Sequence, residues 1–299
     1  MSGKERGKRL KPERLFPYPA PQAAARGKPL ALPVWTANKA QLIERYLSLF
    51  VRVTRHGTYI DGFAGPQYPE VDEYAAKLVV ESTPKRSLRH PLREPPQLRH
   101  FYLFEKDEAK CGLLQQLEDA HPDRVKLFPG DFNRRVDTVL CPEWLRPTEA
   151  TFCLLDQHTF ECEWATVRRL ADYKRESEYK IELFYFLANW WLDRAVKATT
   201  RNEARGHAWW GSDDWRDIVL MPRPQRAETL SRRFRDELGY RYSSYFPIHG
   251  SEDGREIKVM YYMIHASDHP EAIRLMRRCF DKLRGRDRFK QLTIPLEDA

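Results

Sequence analysis

The chain has 299 residues, 41% of them apolar, enough for one large core or a core with an appended lobe. Charged residues make up 31% and the formal net charge is +8, an excess that favours a polyanionic partner such as nucleic acid or a nucleotide. No apolar run is long enough to span a bilayer and no apolar segment follows the basic N-terminus, so membrane and secreted classes are set aside and a cytoplasmic protein is expected.

Much of the positive charge is local. Between Met1 and Arg14, the cations Lys4, Arg6, Lys8, Arg9, Lys11 and Arg14 face only Glu5 and Glu13, and Pro-rich sequence continues to Pro33. Residues 1–30 read as a flexible tail and 31–299 as a single domain. The cysteines Cys111, Cys141, Cys153, Cys162 and Cys279 are scattered without zinc-finger spacing, so free thiols and no metal are expected.

In chain order, Leu42, Ile43, Tyr46, Leu47 and Phe50 recur at helical spacing and predict a helix over Thr36 to Phe50. Tyr59-Ile60 reads as a strand running into Asp61-Gly62. A short helix over Glu73–Glu81 follows, then a proline-rich loop. His100 to Phe104 is a strand ending at Glu105, and Asp107 to Ala120 a helix. Val125 to Phe128 is a strand ending at Gly130-Asp131, followed by a short helix over Arg134–Val139. Thr151 to Leu155 is a strand ending at Asp156, and Trp164 to Tyr173 a helix. Ile181 to Leu187 is a strand ending near Asn189. Helices fill about 190–238 as an insertion, with an exposed-looking group of Trp190, Trp191, Trp209, Trp210 and Trp215. Interleaved with Arg194, Arg201, Arg205 and Arg216, these rings suit base stacking, although a buried lobe core is the commoner outcome for Trp. Tyr242–Ile248 and Ile257–Ile264 flank a turn at Gly250–Gly254, a hairpin, and a helix over Pro270–Arg284 closes the chain.

Short apolar strands alternating with helices specify an α/β, doubly wound, mainly parallel sheet. Ligands of such sheets sit beyond the carboxyl ends of the strands. Those ends carry four acids: Asp61, Glu105, Asp131 and Asp156. The loop Asp61-Gly62-Phe63-Ala64-Gly65 offers small residues where a backbone must approach a cofactor. Glu105 has two oxygens for a ribose diol. Asp131 and Phe132 suit an adenine amino group and its ring. Glu105 and Asp131 also each precede a helix, and an N-cap is the lesser reading of either.

The terminal hairpin on a parallel sheet resembles the seven-stranded Rossmann-like sheet of class I methyltransferases, and Asp61-Gly62-Phe63-Ala64-Gly65-Pro66 resembles their Asp-x-Phe-Ala-Gly-x-Gly motif. More narrowly, the chain resembles the three-Cys-motif partner protein family (TcmP) of bacteria. The segments that carry this are Lys39–Phe50 with Tyr46, Tyr59–Pro66, Phe104-Glu105, Gly130-Asp131-Phe132-Asn133 and Met260–Pro270. The resemblance implies S-adenosyl-L-methionine as cofactor and a partner protein carrying three cysteines. Two positions depart from the pattern: Gln67 stands at the motif's last glycine, and the fourth strand runs on as Asp156-Gln157-His158 where the family has Asp-Pro-Phe-Gly.

Methyl transfer requires alignment of an acceptor, exclusion of water and, for a neutral acceptor, a base. His158 is the first candidate base and Asp156 the second, with Gln157 beside them. Lys39 and Asn189 are candidate substrate contacts. Cys162, near a helix start, reads either as an activated thiol or as a small packing residue. The resemblance, together with the basic excess, implies a methyltransferase acting on nucleic acid or a nucleotide-like substrate. The alternative is a scaffold that keeps the fold without the chemistry. No GxGxxG follows the first strand, which argues against a nicotinamide cofactor.

Overall fold

The computed structural model describes residues 34–66, 74–82, 96–158, 160–189, 192, 203–252 and 255–283. The strands are β1 (His56–Asp61), β2 (Gln97–Glu105), β3 (Val125–Pro129), β4 (Thr151–Leu155), β5 (Glu182–Leu187), β6 (Tyr242–Glu252) and β7 (Arg255–Ser267). The helices are α1 (Val34–Thr54), α2 (Ala75–Ser82), α3 (Glu108–Ala120), α4 (Phe132–Arg135), α5 (Trp164–Tyr173), α6 (Glu203–Trp210), α7 (Trp215–Leu220), α8 (Arg223–Asp236) and α9 (Pro270–Leu283). A 3₁₀ turn over Val136–Thr138 follows α4.

The strands form one seven-stranded sheet in the order β3-β2-β1-β4-β5-β7-β6. Strands β1 to β5 are parallel, and β7 runs antiparallel to both β5 and β6. This is the fold expected from the resemblance to class I methyltransferases, with its terminal hairpin.

Period-two alternation sorts the strand residues onto two separate cores. Ile60, Phe104, Leu155, Tyr185 and Ile264 face one side, under α5 to α8. Tyr59, Leu103, Phe152, Phe184 and Met263 face the other, under α1, α2, α3 and α9. With both faces covered, the central strands read as almost unbroken apolar runs.

Several expectations change in detail. The short helix starts at Phe132 rather than at 134, because the Asp131 side chain caps it by accepting from the Asn133 N–H. The hairpin strands are longer than expected, with register shifts at Ile248/His249 and Gly250/Ser251; residues 253 and 254 lie outside the described residues. The exposed-looking tryptophans are inside. Trp209, Trp210 and Trp215 are each 2–3% exposed and pack in the first core. The Trp209 indole donates to Tyr185 Oη at 2.6 Å and the Trp210 indole to Asp214 at 3.1 Å. Arg233 lies 3.8 Å over the Trp210 ring. These faces are occupied, so base stacking on them is excluded. Trp190, Trp191, Arg194 and Arg201 lie outside the described residues, as do residues 1–30 and Gln67.

Candidate functional site

The strand order turns at β1 and β4: β2 and β3 lie to one side, β5 and the hairpin to the other. A crevice at the carboxyl ends of β1 and β4 follows from that reversal. Asp61 ends β1 between Leu103 of β2 and Leu154 of β4. It is 2% exposed, accepting from Tyr59 Oη at 2.8 Å and from the Phe63 N–H at 3.1 Å. Burial pushes its carboxyl up from 3.8 to about 7, against the pull of those two bonds, and Asp156 and Glu105 add repulsion. The three acids thus share one neighbourhood.

The loop after β1 is laced between its neighbours. The Gly62 N–H donates to Leu154 O at 3.0 Å, and the Ala64 N–H to Phe104 O at 2.9 Å. The Gly65 N–H donates to Glu105 Oε2 at 3.0 Å, and Glu105 Oε1 accepts from the Asp107 N–H at 2.8 Å. A Cβ at Gly65 would overlap Glu105 Oε2, and one at Gly62 would come within 2.8 Å of the Phe132 ring. A side chain at either position would therefore have to displace Glu105 or the Phe132 ring. Each oxygen of Glu105 keeps a lone pair for a further donor.

Asp131 follows β3, and its Oδ1 takes both the backbone and side-chain N–H of Asn133, at 2.8 and 3.0 Å. Phe132 is 2% exposed, with its ring against Phe104 at 4.9 Å and edge-on to Phe63 at 6.0 Å. The half-buried Phe63 is the loop's more accessible ring.

Asp156 lies just past β4, and both its oxygens are 2.6 Å from Lys39 Nζ. Lys39 reaches it from α1 and is 5% exposed, with Phe186 and Tyr261 rings 5.0 and 4.6 Å from the ammonium. Lys39 is thus committed to a carboxylate inside the protein, not held out toward solvent.

The other candidates brace the loop after β4. Gln157 is buried, and its Oε1 accepts from the Glu161 and Cys162 N–H groups at 3.1 and 2.8 Å. The His158 N–H donates to Glu161 Oε2 at 3.0 Å. Burial raises the Glu161 carboxyl, but His158 and Lys106 outweigh it and hold the group low. Phe160 sits in the left-handed region at φ 56°, with its ring among Trp209 and Trp215 at 5.0 and 5.8 Å. Cys162 is fully buried, and burial pushes its thiol up, so the activated-thiol expectation fails and the packing reading stands. Asn189, fully buried past β5, accepts from Arg226 at 3.3 Å, and its Nδ2 has no hydrogen-bond partner among the described residues.

No family model matches the chain, and no curated protein does. Among solved structures, it is similar to M. jannaschii TYW2 in complex with AdoMet, at 12% identity and a TM-score of 0.40, over 79% of this chain and 77% of that one. It is also similar to a protein solved for the conversion of a disulfide bond into a thioacetal group during echinomycin biosynthesis: 10% identity, TM-score 0.35, 79% and 87% covered. A third is the small RNA methyltransferase HEN1: 14% identity, TM-score 0.36, 79% of this chain and 26% of that one. These are loose likenesses.

Two features escaped the sequence reading. Tyr59, two residues before Asp61 and so on the same face of β1, had a signal in the strand period. The second had none in any local pattern, only in the segments that carry the resemblance. Glu182 opens β5 at the amino edge of the sheet, where its Oε1 takes Tyr46 Oη and pairs with His265 Nε2 at 2.9 Å, and its Oε2 takes Ser267 Oγ at 2.9 Å. Tyr46 and His265 come from the two segments most particular to the resemblance, and they meet away from the crevice.

Proposed function

We propose that the chain is an S-adenosyl-L-methionine-dependent methyltransferase acting on nucleic acid or a nucleotide-like substrate, together with a partner protein. The observation that carries this reading is the meeting of Asp61, Glu105 and Asp156 at the turning point of the sheet, beside two glycines closely approached by Glu105 and Phe132. These residues fit a nucleoside cofactor with a cationic centre. Glu105 has lone pairs for a diol, Asp131 an acceptor for an amino group, and Gly62 to Gly65 a close backbone. When bound, the cofactor supplies an electrophilic methyl group on a sulfonium.

The chain's own residues then have these parts. Asp61, Glu105, Asp131 and the 62–65 loop bind and orient. Asp156, pinned by Lys39, and His158 are the groups that take the acceptor's proton. Asn189, whose Nδ2 has no hydrogen-bond partner among the described residues, is the proposed substrate contact past β5. Gln157 keeps the 157–162 loop in shape. Calorimetry of S-adenosyl-L-methionine into folded protein should show binding that Glu105→Ala abolishes. Absence of heat, with or without RNA, would sink the reading.

One observation favours a second reading. Both oxygens of Asp156 are held by Lys39, and Gln157 by its own loop, so the groups expected to receive an acceptor each already have a partner. A methyltransferase-like scaffold for a three-cysteine protein would have no need of them free. Full biological function in Asp61→Ala, with a three-cysteine protein still co-purifying, would select the scaffold.

A further inference from the structure

On the face opposite the tryptophans, α1 and α9 pack side by side and leave a groove of about 430 Å³ between them. Its walls are cationic. Arg45 and Arg52 stand one above the other on α1, about 10 Å apart along its axis, and Arg278 and Lys282 stand one turn apart on α9. Leu49 and Cys279 form the floor. Burial pushes the Cys279 thiol up to about 11, while Arg45, Lys282 and Arg278 all pull it down, which places three of the cations around one sulfur. Among the described residues none of the four cations has an ion-pair partner, whereas Arg168, Arg169, Arg216 and Arg233 each pair with a carboxylate. Like charges gathered without counter-charge repel, and an external anion removes that cost.

From this geometry we infer that the α1–α9 groove is a binding site for the phosphodiester backbone of single-stranded RNA. A row of cations along a helix matches a linear polyanion better than a single phosphate. A membrane surface fits less well: of the large apolar residues among the described ones, only Val53 is exposed on α1 and none on α9, too few for insertion. Lys39, which holds Asp156, lies on the same helix about 9 Å along the axis before Arg45, on its buried side, so α1 carries both the groove and a residue of the crevice. The inference names a substrate class for the reading above and rests on it for its purpose.

The test is fluorescence anisotropy of full-length protein with a labelled single-stranded oligoribonucleotide, without cofactor, over a salt series. Arg52→Ala with Arg278→Ala should weaken binding at least tenfold and lower the slope of log affinity against log salt by about 1.4, two contacts at about 0.7 each. Arg232→Ala with Arg235→Ala, on α8 across the sheet, removes the same charge and should change neither. Equal losses in the two pairs would mean a general field and overturn the site, as would absence of RNA binding by the wild type. Binding to phosphatidylserine vesicles that the groove pair abolishes while RNA binding persists would also overturn it. Because no cofactor is present, failure here and failure to bind S-adenosyl-L-methionine are separate results.

Discussion

From pH about 4 to about 7, Asp61 keeps a proton in the folded chain that it has released in the unfolded one, because burial holds its folded value near 7 against an ordinary 3.8. Its raised value therefore costs stability as pH rises through that window, by up to about 1.4 kcal/mol per pH unit. Asp61→Asn removes this term. Thermal melts should show the variant gaining on wild type from pH 4 to pH 7 and holding level above it. A cationic ligand among these acids favours their ionised forms, so its affinity should tighten over the same range. Gly65→Ala tests the loop itself. The added methyl overlaps Glu105, at about 1–3 kcal/mol of overpacking, and calorimetry should find cofactor binding lost while the circular dichroism of the fold stays. The acids themselves were legible, since each ends an apolar run. What they bond to was not: Lys39 meets Asp156 across 117 residues, and no local pattern encodes that contact.

Elements were legible wherever an apolar period was strong, and least where aromatic residues served two readings. A tryptophan-rich stretch among arginines has the same composition as a stacking surface or a packed layer. Only the β-sheet beneath it decides, by offering Tyr185 to Trp209. Trp209→Phe loses that bond and should cost about 1 kcal/mol, whereas Trp209→Ala should cost about 3–5 kcal/mol. The larger truncation also frees Phe160 from its left-handed position, so hydrogen exchange at the Glu161 and Cys162 amides should quicken. At the other edge of the sheet, Glu182→Ala strands Tyr46, His265 and Ser267 without their acceptor. Urea unfolding should register a loss of about 3 kcal/mol or more, and Glu182→Gln, which keeps an oxygen in place, a smaller one.

At the scale of the molecule, the order of strands and helices was readable because four crossovers repeat one rhythm, and the hairpin broke it visibly. The net charge was readable as a number but not as a place, since the groove brings together α1 and α9 from opposite ends of the chain. The same closure of ends governs how the chain must be made. Within β1 to β5 no neighbouring pair is local in sequence, and the free side of β5 is filled only by β7. Until residues 255–283 have left the ribosome, β5 has an open edge, α1 lacks its neighbour α9, and Glu182 lacks His265 and Ser267. Parallel pairing is slow in any case. A nascent chain stalled before β7 should therefore remain protease-sensitive throughout and bind chaperones, and it should become resistant in one step once the last helix emerges.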